Sequence, residues 1–175
     1  MTFVFISILS IGSTTKADKP QKMPIFSQYG PVFAVTDRDI ELPKDFIYKA
    51  VFDVTTTSSS AKNHSRRLES VARFINMHVL NGVPIENIQL AVVIHGKAAK
   101  DTLTDKAYQK YHQHDNPNIE LIEQLHKQGV EFFICGQSAA FLGYSKEQLV
   151  KPVKLALSAM TQLVILQKEG YALLP

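Results

Sequence analysis

Gln89-Leu90-Ala91-Val92-Val93-Ile94-His95, QLAVVIH, is apolar at every position between its polar ends. A strand with one wet face alternates apolar and polar residues. The unbroken run Leu90–Ile94 instead suits a strand buried on both faces, the kind found in parallel sheets covered by helices. Upstream, Phe46–Val54 is rich in aromatic and β-branched residues and runs into Thr55-Thr56-Thr57-Ser58-Ser59-Ser60, a strand followed by a polar loop. Leu68, Val71, Ala72, Ile75 and Val79 recur at three- and four-residue steps, which predicts a helix ending near Asn81-Gly82. Downstream, Asp115-Asn116-Pro117-Asn118 offers a turn and a helix cap, and Ile119, Ile122 and Leu125 form the inner stripe of a helix that stops at Gln128-Gly129. A strand over Val130–Cys135 comes next, then short helices over Ser138–Leu142 and Lys146–Val150. A strand over Val153–Leu157, a helix over Ser158–Lys168 closed by Gly170 and a last strand in Tyr171–Leu174 complete the chain. Strand and helix alternate throughout. The pattern predicts a three-layer α/β/α sandwich with a mostly parallel sheet of about five strands.

The amino-terminal third departs from this alternation. Phe3–Ile11 is apolar and uncharged, and Gly12–Ala17 leads into polar Asp18-Lys19-Pro20, which reads as an export signal over residues 1–17. The apolar run falls well short of the roughly 20 residues a membrane-spanning helix needs, so the mature chain is expected to carry no span. No Lys or Arg precedes the run, and a buried amino-terminal strand is the alternative reading. Residues 18–45 hold Pro20, Pro24, Pro31 and Pro43 and are expected as an extended arm laid over the domain formed by 46–175. An export signal implies a periplasmic or secreted protein, with the cytoplasm as the alternative. A net charge of +3 without a basic cluster larger than Arg66-Arg67 argues against nucleic-acid binding.

In an open parallel sheet, ligands gather beyond the carboxyl ends of the strands. Three such ends are Val54-Thr55-Thr56, Ile94-His95-Gly96 and Ile134-Cys135-Gly136, which puts hydroxyls, an imidazole and a thiol within reach of one rim. Cys135 is the only cysteine of the 175 residues, so an internal disulfide is impossible. Cysteine at a strand end is often mere packing. The helix-compatible stretch after Gly136-Gln137-Ser138 offers a second reading, because a sulfur beside a helix start is favoured as the thiolate. His95 ends an apolar strand and is either a satisfied structural residue or a group that moves protons for the sulfur. The Ser/Thr run is a flexible loop first and an anion-binding lip second. His112 and His114 lack the Cys/His companions of a recognised zinc spacing and read as a solvated helix end, so no metal and no cofactor are expected.

Val92–Ala98, Asn116–Ile122, Ile134–Ser138, Leu157–Thr161 and Gly170–Pro175, together with Tyr29-Gly30 and Val51–Val54, resemble the DsrE/DsrF-like family, which includes the YchN-like proteins, and within it the exported single-domain branch. The resemblance implies a three-layer α/β fold that forms homo-oligomers, commonly trimers or hexamers. It also implies a sulfur carrier that accepts sulfane sulfur as a persulfide on Cys135, exchanging it with a donor or acceptor protein. His95 would assist, with Gly96, Gly136, Gln137, Ser138, Thr55 and Thr56 around the ligand. The alternative is a non-enzymatic homo-oligomer that binds a small ligand or a partner while Cys135 only lines the pocket.

Overall fold

QLAVVIH lies at the centre of the sheet in the computed structural model, which describes residues 23–175. The export segment expected at 1–17, and residues 18–22 of the arm, lie outside the described residues. The strands β1 (Tyr48–Val54), β2 (Ile88–Ile94), β3 (Glu131–Cys135), β4 (Val153–Ala156) and β5 (Ala172–Leu174) form one sheet in the order β4-β3-β2-β1-β5. Every pairing is parallel, with Phe52 opposite Val92 and Val92 opposite Phe132. Because side chains alternate across a strand, the sheet has two differently covered faces. Ala50, Phe52, Val54, Leu90, Val92, Ile94, Phe132 and Ile134 enter the larger core. Val51, Ala91, Val93, Phe133 and Cys135 point the other way, into a smaller core.

The larger face is covered by α1 (Arg66–Leu80), α2 (Asp105–His112) and α3 (Ile119–Lys127). Ser65 caps α1 by accepting from the Leu68 amide at 3.4 Å, and Leu68, Val71, Ala72 and Ile75 are buried as their spacing predicts. Helix α3 ends before Gly129, again as expected. Its cap is different. The Asn118 side chain leaves its own helix uncapped and instead accepts from the Ser65 amide at 2.7 Å, while its own amides donate to Asn116 Oδ1. Asn116 donates in turn to the carbonyls of Asp101 and Leu103. The buried Asn-Pro-Asn turn thus fixes where α1 starts, a long-range role that residue spacing cannot reveal.

Helix α2 and the 3₁₀ stretch Gly96–Thr102 were not legible in the pattern. Helix α2 buries only Ala107 and Tyr108 and so carries no repeating stripe. The helix expected over Lys146–Val150 is a single 3₁₀ turn, Lys146–Gln148, because Leu149 pairs with Leu103 in an antiparallel bridge and pulls the chain out of helical geometry.

The described part of the arm, from residue 23, lies over α1. Phe26, Tyr29 and Val32 are buried, and the fully buried Asn76 of α1 accepts from the amides of Ile25 and Phe26 and donates to the carbonyls of Phe26, Tyr29 and Gly30. Gly30, at φ +62°, presses against the α1 backbone so closely that a Cβ would stand 2.3 Å from the Arg73 nitrogen.

On the smaller face α5 (Ala159–Lys168) lies alone against the strands, giving the expected three layers. Ala159 and Leu166 turn inward, but Met160, Val164 and Ile165 face solvent, and Leu173, on the same face of the sheet as Val51, is exposed too. Among the described residues no helix is long and apolar enough to cross a membrane.

Candidate functional site

Strand β3 ends at Cys135, and helix α4 (Gly136–Leu142) begins at the next residue rather than at Ser138 as the sequence suggested. Cys135 is therefore itself the residue before the first turn, in an extended conformation at φ −63° and ψ 117°. A second helix begins at the same place. Ser158 caps α5 by accepting from the Thr161 amide at 3.0 Å, and the first amide of that helix, Ala159, faces the Cys135 sulfur. The two starts come this close because residue 136 is glycine: a Cβ there would stand 2.4 Å from the Ala156 carbonyl oxygen and 3.0 Å from that of Leu157.

Burial pushes the Cys135 thiol up, yet its net shift is downward. The amide and hydroxyl of Ser138 outweigh the cost of desolvation, helped by the amides of Ala159 and Gln137. The Ser138 hydroxyl is held by the Gly96 amide, which donates to its oxygen at 3.1 Å. The hydroxyl hydrogen is then left for the sulfur.

Exposure differs from expectation. An open sulfur at the rim was the natural reading of the sequence, but Cys135 is only 6% exposed and packs in the smaller core with Phe133 and Ala159. Three polar amides at a buried sulfur nevertheless make this more than a hydrocarbon niche. They can hold negative charge on an atom that only a small reactant reaches.

Cys135, Gly136, Gln137 and Ser138 are consecutive, and the Gly96 amide joins them through Ser138. The Gln137 side chain turns away, its amide 3.5 Å from the Leu157 carbonyl oxygen. His95 sits at the end of β2, and extending the register that pairs Ile94 with Ile134 places it laterally beside Cys135. Its ring is engaged elsewhere: Nε2 lies 2.8 Å from Asp53 Oδ1, with the two side chains 29% and 28% exposed. Asp53 was missed. Its signal was a lone carboxylate inside an apolar strand, on the same face as His95 and Cys135. Thr55 joins the rim only through its carbonyl, which accepts from the Ala98 amide at 3.3 Å. Thr56 lines a separate cavity beside the start of α1.

His112 is no solvated helix end. Its ring lies 4.5 Å from that of Tyr108, its Nε2 is buried without a partner, and burial lowers its pKa. Among the described residues no three His, Cys, Asp or Glu side chains gather as metal ligands would.

Comparison with known proteins places this arrangement. Several solved chains share the fold, two of them as follows. MTH1491 from Methanobacterium thermoautotrophicum, a protein of unknown function, is 19% identical with a TM-score of 0.55, over 73% of this chain and 97% of its own. The ychN protein from E. coli is 17% identical with a TM-score of 0.51, over 72% of this chain and 96% of its own. No curated protein matches the chain. The profile of the DsrE/DsrF-like family matches residues 49–175, from β1 through the thiol and both helix starts to the last strand, and the chain belongs to that family.

Proposed function

We propose that this protein is a sulfur carrier that holds sulfane sulfur as a persulfide on Cys135. Family membership supports a role in sulfur metabolism. The observation that carries the finer reading is the thiol held below its ordinary pKa by donors from two helix starts. As a thiolate, Cys135 attacks the outer sulfur of a donor persulfide. A new sulfur–sulfur bond forms on Cys135, the donor's own sulfur–sulfur bond breaks, and the donor leaves as a thiolate, so no external oxidant or reductant is consumed. The same amides then hold the negative persulfide, and the reverse exchange delivers the sulfur to an acceptor. Asp53 accepts from His95 Nε2 and fixes the ring. Nδ1, unprotonated in that tautomer, is left to take the proton the Cys135 thiol releases and pass it to the departing thiolate.

Mass spectrometry tests this reading. The whole chain treated with a polysulfide gains the mass of one sulfur, located on the peptide containing Cys135 and lost on reduction. A chain that gains no sulfur, or gains it elsewhere, contradicts the proposal. The export-type start at 1–17 supports a periplasmic or secreted site of action.

A second observation supports self-association. Helix α5 buries Ala159 and Leu166 but exposes Met160, Val164 and Ile165, and exposed apolar side chains gathered on one element mark an interaction surface. A second copy covering Met160, Val164 and Ile165 would bury them, whether in a trimer or a hexamer. Light scattering should show an assembly for the parent chain and a monomer for Val164→Lys. A monomeric parent, or an assembly indifferent to the substitution, counts against it.

A further inference from the structure

On the larger face of the sheet, under α2, lies a polar cluster that the thiol does not touch. Asp101 is fully buried. Its Oδ1 accepts from Thr57 Oγ1 at 2.7 Å and from Lys100 Nζ at 2.8 Å, while its Oδ2 is buried without a partner. Lys100 also donates to the Tyr108 hydroxyl at 3.1 Å, and that hydroxyl donates to the Ala61 carbonyl oxygen at 3.1 Å. The network thus ties separate pieces of chain together: the loop after β1 through Thr57 and Ala61, the 3₁₀ stretch through Lys100 and Asp101, and α2 through Tyr108.

Helix α2 is otherwise lightly anchored. It buries only Ala107 and Tyr108, and Asp105 at its start accepts from the Asn116 amide at 2.8 Å. His112, its last residue, lays its ring against that of Tyr108 and keeps Nε2 buried with no partner. The groups around this imidazole are Lys100 and Asp101 from the 3₁₀ stretch, Tyr108 and Tyr111 from its own helix, and Tyr144 after α4, whose ring stands 5.4 Å from that of Tyr111. Burial disfavours a proton on the ring, and the Lys100 charge disfavours it further, against a smaller opposite pull from Asp101. The Asp101 carboxylate is already shared between Lys100 and Thr57. An imidazolium here would be a cation forced beside a half-buried ammonium.

We propose that His112 is an acid-sensitive latch: the neutral ring lets α2 close over the Lys100–Asp101–Tyr108 network, and the protonated ring drives α2 away and frees the loop after β1. Because the closed site resists the proton, the closed state loses stability as pH falls below the ordinary imidazole value of about 6.5, where the released helix takes the proton up. Burial raises the Asp101 pKa, so protonation of that carboxyl favours the closed state and sets the acid limit of the release.

Hydrogen exchange of the whole chain, corrected for the intrinsic rate at each pH, tests the latch. Between about pH 7.5 and about pH 5, the protection of amides in α2 and in residues 55–65 should fall roughly tenfold in the parent, the factor that a tenfold weaker proton affinity of the closed state gives. In His112→Phe, which keeps an aromatic ring against Tyr108 without a titrating nitrogen, protection should be nearly constant over the same range. NMR titration of the parent imidazoles needs no variant: His112 should titrate below its ordinary value. Protection of α2 that does not change with pH, an equal fall in H112F, or a His112 that titrates at or above the ordinary value would overturn the proposal.

Discussion

Cys135→Ser loses sulfur loading completely and keeps the fold. A serine hydroxyl can use the same donors and acceptors as the thiol but forms no transferable bond to sulfane sulfur, so loading falls to zero instead of slowing. The buried change from sulfur to oxygen should cost only about 1 kcal/mol of stability, the usual scale of a single substitution. His95→Ala and Asp53→Asn should behave differently, slowing exchange with the final stoichiometry unchanged. That division follows from geometry: the sulfur is the bonding atom, whereas the imidazole stands beside it on the next strand, tied to Asp53 at 2.8 Å. Mass spectrometry against time separates the two outcomes, and residual loading in the serine variant would remove Cys135 from the chemistry.

Gly136→Ala is expected to harm stability and thiol chemistry together. The added methyl would stand 2.4 Å from the Ala156 carbonyl oxygen and 3.0 Å from that of Leu157, both backbone atoms leading into α5. No side chain can swing aside to relieve the contact. The β4–α5 connection must move outward, which costs about 1–3 kcal/mol, the range for overpacked sites. The same movement carries the Ala159 amide away from the sulfur, removing one of the groups that lower its pKa. Chemical denaturation should therefore show a lower unfolding free energy, and the alkylation midpoint of Cys135 should rise. A variant as stable as the parent with an unchanged midpoint would mean that the close approach of the two helix starts has no bearing on the thiol.

The sheet was legible because its signals are local. The run Leu90–Ile94 announces a strand covered on both faces, and the stripe of α1 falls where its periodicity puts it. The rim was legible for the same reason, since three parallel strands ending near Thr55, His95 and Cys135 must end on one side. What stayed hidden depends on contacts distant in sequence. Ala159 reaches the sulfur across 24 residues of chain, Asn118 reaches Ser65 across 53, and Asp53 reaches His95 across 42. None of these has a spacing that a linear pattern records. Burial of the thiol was hidden too, because α5 packs over β3 through residues that read equally well as an exposed helix. Thr56 shows how one residue step decides a role: Thr55 meets the rim through its carbonyl, while Thr56 faces the cavity beside the start of α1.

The pH dependence of Cys135 alkylation in the native chain tests the central claim most directly. A small uncharged alkylating reagent reports the thiolate fraction, and limited access lowers the absolute rate without moving the midpoint. With the amides of Ser138, Ala159 and Gln137 and the Ser138 hydroxyl outweighing burial, the midpoint should fall clearly below the value of about 8.5 typical of free cysteine. A midpoint at or above that value would contradict the account, leaving Cys135 as a packed side chain at the end of a strand.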